Sequence, residues 1–131
     1  MKKVLLILTV LLSASAYANS AKIVATDVDD KTVEIALDSD NTPRINGDTG
    51  TYPTIKDFGD DSDYVNYCYR GTRKDTKGLL RALVNAADGD GDSWAKLKSI
   101  KANRKGKFTV VVLITDESGE HEEVYEFSPC K

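Results

Sequence analysis

The chain of 131 residues is poor in the residues on which many enzymes and metal centres depend. Its one histidine, His121, lies in the polar segment SGEHEE, so no cluster of histidines is available for a transition metal. The sequence also lacks a G-x-S-x-G elbow, an H-E-x-x-H motif and a phosphate-binding glycine loop. Without these signatures we assign no catalytic residue and expect a protein that is not an enzyme.

Long apolar runs are missing except near the N-terminus. There Lys2 and Lys3 precede the nine-residue run Val4–Leu12, and Ala16-Tyr17-Ala18 has the small-x-small pattern of a cleavage site. A helix that spans a bilayer needs about 20 apolar residues, so this run is too short to be a membrane anchor. We predict a Sec-type signal peptide over residues 1–18, cleaved near Ala18, and a mature domain of residues 19–131 that is periplasmic or secreted.

Cysteine is also scarce: the chain contains only Cys68 and Cys130, and they do not form a C-x-x-C motif. A redox or metal-bound thiol pair would favour that spacing. Two cysteines in an exported chain are most simply explained as a disulfide bond. We therefore predict a disulfide between Cys68 and Cys130.

Basic residues are outnumbered in the predicted mature chain. Without Lys2 and Lys3, 16 basic residues stand against 21 acidic ones, which gives a net charge of −5. This balance argues against nucleic acid or an anionic membrane as the main partner. The remaining 113 residues suffice for one domain and are too few for two.

The first half of the mature chain predicts strands and a long loop. Residues 21–38 alternate apolar and polar side chains on both sides of a DDK turn, which is typical of a β-hairpin. Residues 39–63 are rich in glycine and proline and form a loop, in which Asn46-Gly47 suits a tight turn of a short hairpin. The segment YVNYCYRG predicts a strand with Val65, Tyr67 and Tyr69 on one face and Tyr64, Asn66 and Cys68 on the other.

The second half predicts one helix and three strands. Thr72 and Asp75 have the spacing of a helix N-cap, and Gly89 follows the last apolar position where a helix end favours glycine. The apolar residues between them recur at helical spacing and form one stripe: Leu79, Leu80, Leu83, Val84 and Ala87. Residues 93–130 predict three strands of a meander, and the middle one, FTVVVLITD, is apolar on both faces and expected to be central and buried. The predicted fold class is α+β, an antiparallel sheet with one helix packed on it.

The segment DGDGDSW places Asp88, Asp90 and Asp92 at every second position. Carboxylates at positions 1, 3 and 5 of a loop are ligands of calcium, but an EF-hand also needs glycine at position 6 and glutamate at position 12. Those positions hold Ser93 and Ser99, so a full EF-hand is excluded. Two alternatives remain: a reduced Ca²⁺ site that borrows ligands from Asp60, Asp61, Asp63 or Glu117, or an ordinary turn between a helix and a strand.

Two further groups of residues are potential binding elements. Arg73, Lys77 and Arg81 recur at helical spacing opposite the leucine stripe, either as a basic edge for an acidic ligand or as the solvated face of the helix. Tyr52 precedes Pro53 in the long loop and is the tyrosine we expect to be exposed. Tyr67 and Tyr69, on a predicted strand, are expected in the core.

These observations favour one function and leave two alternatives. The favoured hypothesis is a small exported binding module for another envelope or extracellular protein. The alternatives are a module stabilised by calcium through Asp88, Asp90 and Asp92, and a hydrolase that uses a pair of carboxylates, for which no particular pair stands out. The sequence does not indicate an oligomeric state.

Overall fold

The computed structural model describes residues 20–46, 52–59 and 62–131. In order along the chain, these residues form β1 (Lys22–Asp27), β2 (Thr32–Leu37), β3 (Pro43–Ile45), a 3-10 helix (Ile55–Phe58), β4 (Tyr64–Arg70), α1 (Arg73–Ala87), β5 (Trp94–Ala102), β6 (Phe108–Asp116) and β7 (Gly119–Phe127). The predicted signal peptide lies outside the described residues. Within them, no helix is long and apolar enough to cross a membrane.

The strands form two antiparallel sheets, with the orders β3-β2-β1-β4 and β5-β6-β7. The first contains the predicted N-terminal hairpin, in which Ile23 pairs with Ile35. The second is the predicted meander, in which β6 pairs with β5 on one side and β7 on the other. The α+β class is confirmed, although the hairpin and the meander belong to separate sheets.

The C-terminal residues join the two sheets. The Tyr69 amide donates to the Ser128 carbonyl at 3.0 Å, and the Cys130 amide donates to the Tyr69 carbonyl at 2.9 Å. These bonds form a parallel bridge between β4 and the segment that follows β7. The predicted disulfide between Cys68 and Cys130 is present at this bridge, with 4.9 Å between the two Cα atoms.

Helix α1 contacts both sheets and buries the predicted stripe. Leu79, Leu80, Leu83 and Val84 are fully buried in a core shared with side chains of both sheets. At the N-terminus, the Thr72 hydroxyl accepts a hydrogen bond from the Asp75 amide at 3.1 Å, as the capping pattern predicts.

A β-bulge in β4 changes the predicted faces of this strand. Tyr67 pairs with Ala25, but the register then shifts by one residue, so Tyr64 pairs with Asp27 and Val65 is the extra residue. Val65 is therefore exposed, and the Tyr64 ring lies 5.4 Å from the Phe58 ring. The prediction that Tyr64 shares a face with Cys68 was wrong, whereas the predicted packing of Tyr67 and Tyr69 against the core is confirmed.

The long loop contains more regular structure than its composition predicts. β3 pairs with β2 through a turn in which Asn41 has a φ of 60°, and the predicted Asn46-Gly47 turn extends outside the described residues. The 3-10 helix begins after Thr54, whose hydroxyl accepts a hydrogen bond from the Lys56 amide. Asp57 accepts in return from the Thr54 amide at 2.9 Å, which completes a capping box.

Candidate functional site

A cleft of about 750 Å³ opens between the 3-10 helix and the β5-β6-β7 sheet. Its buried lining is apolar and mostly aromatic, and its exposed lining is mostly acidic. The lining residues are Lys56, Phe58, Gly59, Tyr67, Ser93, Ile114, Asp116, Glu122, Glu123, Val124, Tyr125 and Glu126. Four carboxylates and one ammonium group give this surface a formal charge of −3.

The apolar part of the cleft is built on a cluster of aromatic rings. The Phe58 ring lies 5.0 Å from the Tyr67 ring and 5.2 Å from the Phe127 ring, both at steep angles. The Tyr67 hydroxyl donates to the Phe58 carbonyl at 3.2 Å and so holds the 3-10 helix against β4. Edge-to-face rings of this kind pack tightly, which makes the wall of the cleft preformed.

Glu123 is a charged residue on the inner face of β7, where the alternation of a strand predicts an apolar side chain. Side chains alternate along β7, and Glu123 shares the inner face with Tyr125 and Phe127, opposite the buried Val112. Its carboxylate accepts a hydrogen bond from the Tyr125 hydroxyl and lies 3.3 Å from His121 Nε2. The Glu123 side chain is 41% exposed to solvent. β7 is an edge strand of its sheet, and an inward-pointing charge such as Glu123 also protects an edge strand from pairing with other chains.

The other carboxylates of the cleft are held by contacts within the chain. Glu122 pairs with Lys98 at 3.0 Å and Glu126 pairs with Lys107. Hydrogen bonds from the side chain and the backbone of Ser118 hold the pKa of Asp116 below its ordinary value. Asp116 is therefore ionised at neutral pH, and the rim of the cleft stays acidic.

Asp57 lies on the 3-10 helix next to Lys56. The Lys56 ammonium donates a hydrogen bond to the Ser93 hydroxyl in the loop after α1. Burial raises the pKa of Asp57, and the charges of Asp63 and Asp90 raise it further, against the hydrogen bond from the Thr54 amide. Two carboxylates that the sequence places far apart, Asp63 and Asp90, thus raise the pKa of the same half-buried acid.

We expect Asp57→Asn to change how stability depends on pH. Because the pKa of Asp57 is raised in the folded protein, its contribution to stability is present below the unfolded pKa and is lost as pH rises through the folded pKa. The asparagine side chain still accepts the hydrogen bond from the Thr54 amide. Because it does not ionise, the variant does not lose stability as pH rises. Its stability relative to the wild type should therefore increase from acid to neutral pH, measured by urea unfolding across that range. A relative stability that is constant with pH would contradict the burial of an ionised Asp57.

The predicted calcium loop is closed by hydrogen bonds within the chain. The Ala95 amide donates to Asp88 Oδ1 at 3.2 Å, and the Ser93 hydroxyl donates to the Asp90 carbonyl at 3.1 Å. Gly89 has a φ of 80°, as expected of the residue that ends a helix. Across residues 20–46, 52–59 and 62–131, no three His, Cys, Asp or Glu side chains are grouped to hold a metal. Asp60 and Asp61, two of the suggested extra ligands, lie outside these ranges.

Thermal melting distinguishes the two alternatives for residues 88–93, a calcium site and an ordinary turn. A site would make the melting temperature rise with calcium more than with magnesium, and Asp90→Ala would abolish the rise. Because hydrogen bonds already account for the conformation of the turn, we expect equal melting temperatures in chelator, calcium and magnesium. A rise that saturates at low calcium would contradict this expectation.

The other predicted binding residues lie away from the cleft. Arg73, Lys77 and Arg81 are exposed on α1, and the Arg73 guanidinium donates to the Arg104 carbonyl at 3.0 Å, which ties it to the β5–β6 turn. Tyr52 is 53% exposed, as expected, and the Arg44 guanidinium lies 4.3 Å from the centre of its ring. The structure does not bring these residues together with the cleft.

Sequence reasoning missed the cleft because it forms between segments distant in the chain. The available signal was the series His121, Glu123, Tyr125 and Phe127, in which a charge occupies one face of a strand together with two aromatic residues.

Comparison of the chain with models of protein families, with curated proteins and with solved structures finds no match. The function therefore has to be inferred from the site itself.

Proposed function

We propose that this chain is a small exported, non-enzymatic binding module that receives a cationic side chain of an envelope or extracellular protein in the cleft. The observation that carries the proposal is the position of Glu123, whose carboxylate accepts a hydrogen bond from the Tyr125 hydroxyl and lines the same cleft as the rings of Phe58 and Tyr67. The signal-peptide pattern of residues 1–18 and the disulfide support export, since disulfides persist in oxidising compartments.

The chemistry of the lining favours arginine as the cationic group. A guanidinium stacks on the faces of aromatic rings and donates two hydrogen bonds to a carboxylate, whereas an ammonium group does neither as well. Tyr67, Phe58 and Tyr125 supply aromatic surface beside Glu123. On the rim, Asp116 adds a negative potential that attracts a basic partner during encounter, whereas the charges of Glu122 and Glu126 are offset by their ion pairs with Lys98 and Lys107.

Amide shifts in an NMR titration test the proposal with a minimal probe. N-acetyl-arginine amide should shift the amides of Gly59, Glu123 and Tyr125 and saturate, while the uncharged isostere N-acetyl-citrulline amide should bind about tenfold more weakly, because a charge-assisted contact is lost. Glu123→Gln should reduce the arginine response to that of citrulline.

Glu120→Gln is the matched control, because Glu120 lies on the same strand and on the opposite face. It should leave the arginine response intact. Equal responses to arginine and citrulline, or shifts that map elsewhere, would contradict the proposal. Turnover of a glycan that Glu123→Gln removes would instead support the alternative of a carboxylate-based hydrolase.

A further inference from the structure

The outer face of the β5-β6-β7 sheet, opposite the core, carries three ordered rows of side chains. β5 presents exposed lysines, β7 presents exposed glutamates, and β6 presents half-buried aliphatic and threonine side chains between them. The lysine row is Lys96, Lys98 and Lys101; the middle row is Thr109, Val111, Leu113 and Thr115; the glutamate row is Glu120, Glu122 and Glu126. Lys98 is the extra residue of a β-bulge in β5 and pairs with Glu122 across β6, and Glu126 pairs with Lys107. Three positive and three negative charges make this face neutral on an acidic protein.

The same face exposes apolar surface. Val124 is 59% exposed next to Val111 on the paired strand, and Trp94 is 57% exposed at the start of β5. Helix α1 packs on the other face of the sheet, and no described segment covers this one. An exposed apolar strip bordered by charges is typical of an interaction surface.

We propose that a second copy of this chain binds here, sheet against sheet, about a two-fold axis that runs along β6. Such a rotation places β5 of one copy over β7 of the other, so each lysine row faces a glutamate row and the two middle rows face each other. The strand registers give the pairs, because Lys96 and Glu122 both flank Leu113, and Lys101 and Glu126 both flank Thr109. Lys96 then faces Glu122 of the second copy, whose carboxylate also pairs with Lys98 of its own chain and is therefore shared between two lysines in the dimer.

The charges specify this orientation. A two-fold axis across the strands would place lysine over lysine and glutamate over glutamate, which is repulsive. The axis along β6 also leaves the strands of the two sheets nearly aligned, which is a common way for sheets to pack. The neutral face further allows two molecules of net negative charge to meet without strong repulsion.

The size of the face sets the expected affinity. Three strands at ordinary spacing and nine residues in length make a face of roughly 14 by 30 Å. This is smaller than the approximately 800 Å² that each partner buries in a standard interface, so we expect a weak dimer. Because its contacts are largely between exposed charges, its affinity should fall at high salt.

Sedimentation velocity over a series of protein concentrations tests the dimer. The wild type should shift from monomer to dimer as the concentration rises, and Lys96→Glu and Glu122→Lys should each weaken dimerisation by about tenfold or more, since each reverses two contacts per dimer. An equimolar mixture of the two variants should restore it, because every opposed pair in the mixed dimer is again of opposite charge.

The control is Lys31→Glu, which makes the same charge change in the β1–β2 turn and should dimerise as the wild type does. A wild type that stays monomeric at millimolar concentration, a mixture of folded variants that fails to restore the dimer, or equal disruption by Lys31→Glu would each overturn the proposal. Lys96 does not line the cleft, so Lys96→Glu should keep the arginine response, and failure of the dimer can be distinguished from failure of the binding proposal.

Discussion

Replacing Cys68 and Cys130 together with serine is expected to lower the free energy of unfolding by about 4 kcal/mol. The disulfide closes a loop of 62 residues in sequence separation, which contains α1 and all of the β5-β6-β7 sheet. The unfolded chain without this link has many more conformations, and this larger entropy stabilises the unfolded state. Since small domains are stable by only about 5 to 15 kcal/mol, the loss is a large fraction of the total.

Urea unfolding followed by circular dichroism measures this loss. The reduced wild-type protein is the control, because it breaks the same link without replacing a side chain, and it should unfold at the same midpoint as the double serine variant. An unchanged midpoint in both samples would show that the hydrogen bonds between Tyr69 and residues 128–130 suffice to join the sheets.

Phe127→Ala is the second change with a large expected effect, a loss of about 3 to 5 kcal/mol. Phe127 is fully buried, and its ring lies 5.2 Å from the rings of both Phe58 and Tyr67. Its removal leaves a cavity where β7, β4 and the 3-10 helix meet, and it takes away the support of the aromatic wall of the cleft.

Two further variants show whether the loss of stability in Phe127→Ala comes from lost packing or from substitution in general. Phe127→Leu should recover about half of the loss, because it refills most of the cavity. Val65→Ala removes an exposed side chain of β4 and should change stability by about 0.5 kcal/mol or less. Similar losses for Phe127→Ala and Val65→Ala would contradict the central position of Phe127.

The elements that could be predicted are those in which the local pattern and the tertiary environment agree. The stripe Leu79 to Ala87 forms one buried face of α1, alternation in residues 21–38 produces the hairpin, and the apolar strand FTVVVLITD becomes the central strand of the meander. The bulge at Val65 could not be predicted in this way, because it depends on the register of β1 against β4.

The 3-10 helix was missed although Thr54 and Asp57 have the same capping spacing as Thr72 and Asp75. The 3-10 helix is only 4 residues long, and no apolar stripe follows its cap, so the pattern could not be distinguished from a turn. Residues 88–93 show the opposite problem, since the same alternation of aspartate and glycine suits both a calcium loop and a turn.

The candidate site was less predictable than the fold. Glu123 acquires its environment from Tyr125 on its own strand and from Phe58 and Tyr67, which reach it only through the packing of the 3-10 helix and β4. In the sequence, Glu123 is one of four glutamates between residues 120 and 126, and a count of charges does not distinguish the two faces of a strand.

Site-specific photo-crosslinking in the cell that produces the protein would show whether a partner protein occupies the cleft. A photoreactive side chain at Gly59, inside the cleft, and another at Lys31, outside it, would be compared in the wild-type and Glu123→Gln backgrounds. We expect one partner protein to be crosslinked from position 59 through a segment that contains arginine. This adduct should be lost in Glu123→Gln and absent from position 31. Adducts that are the same from both positions, or unaffected by Glu123→Gln, would contradict this expectation.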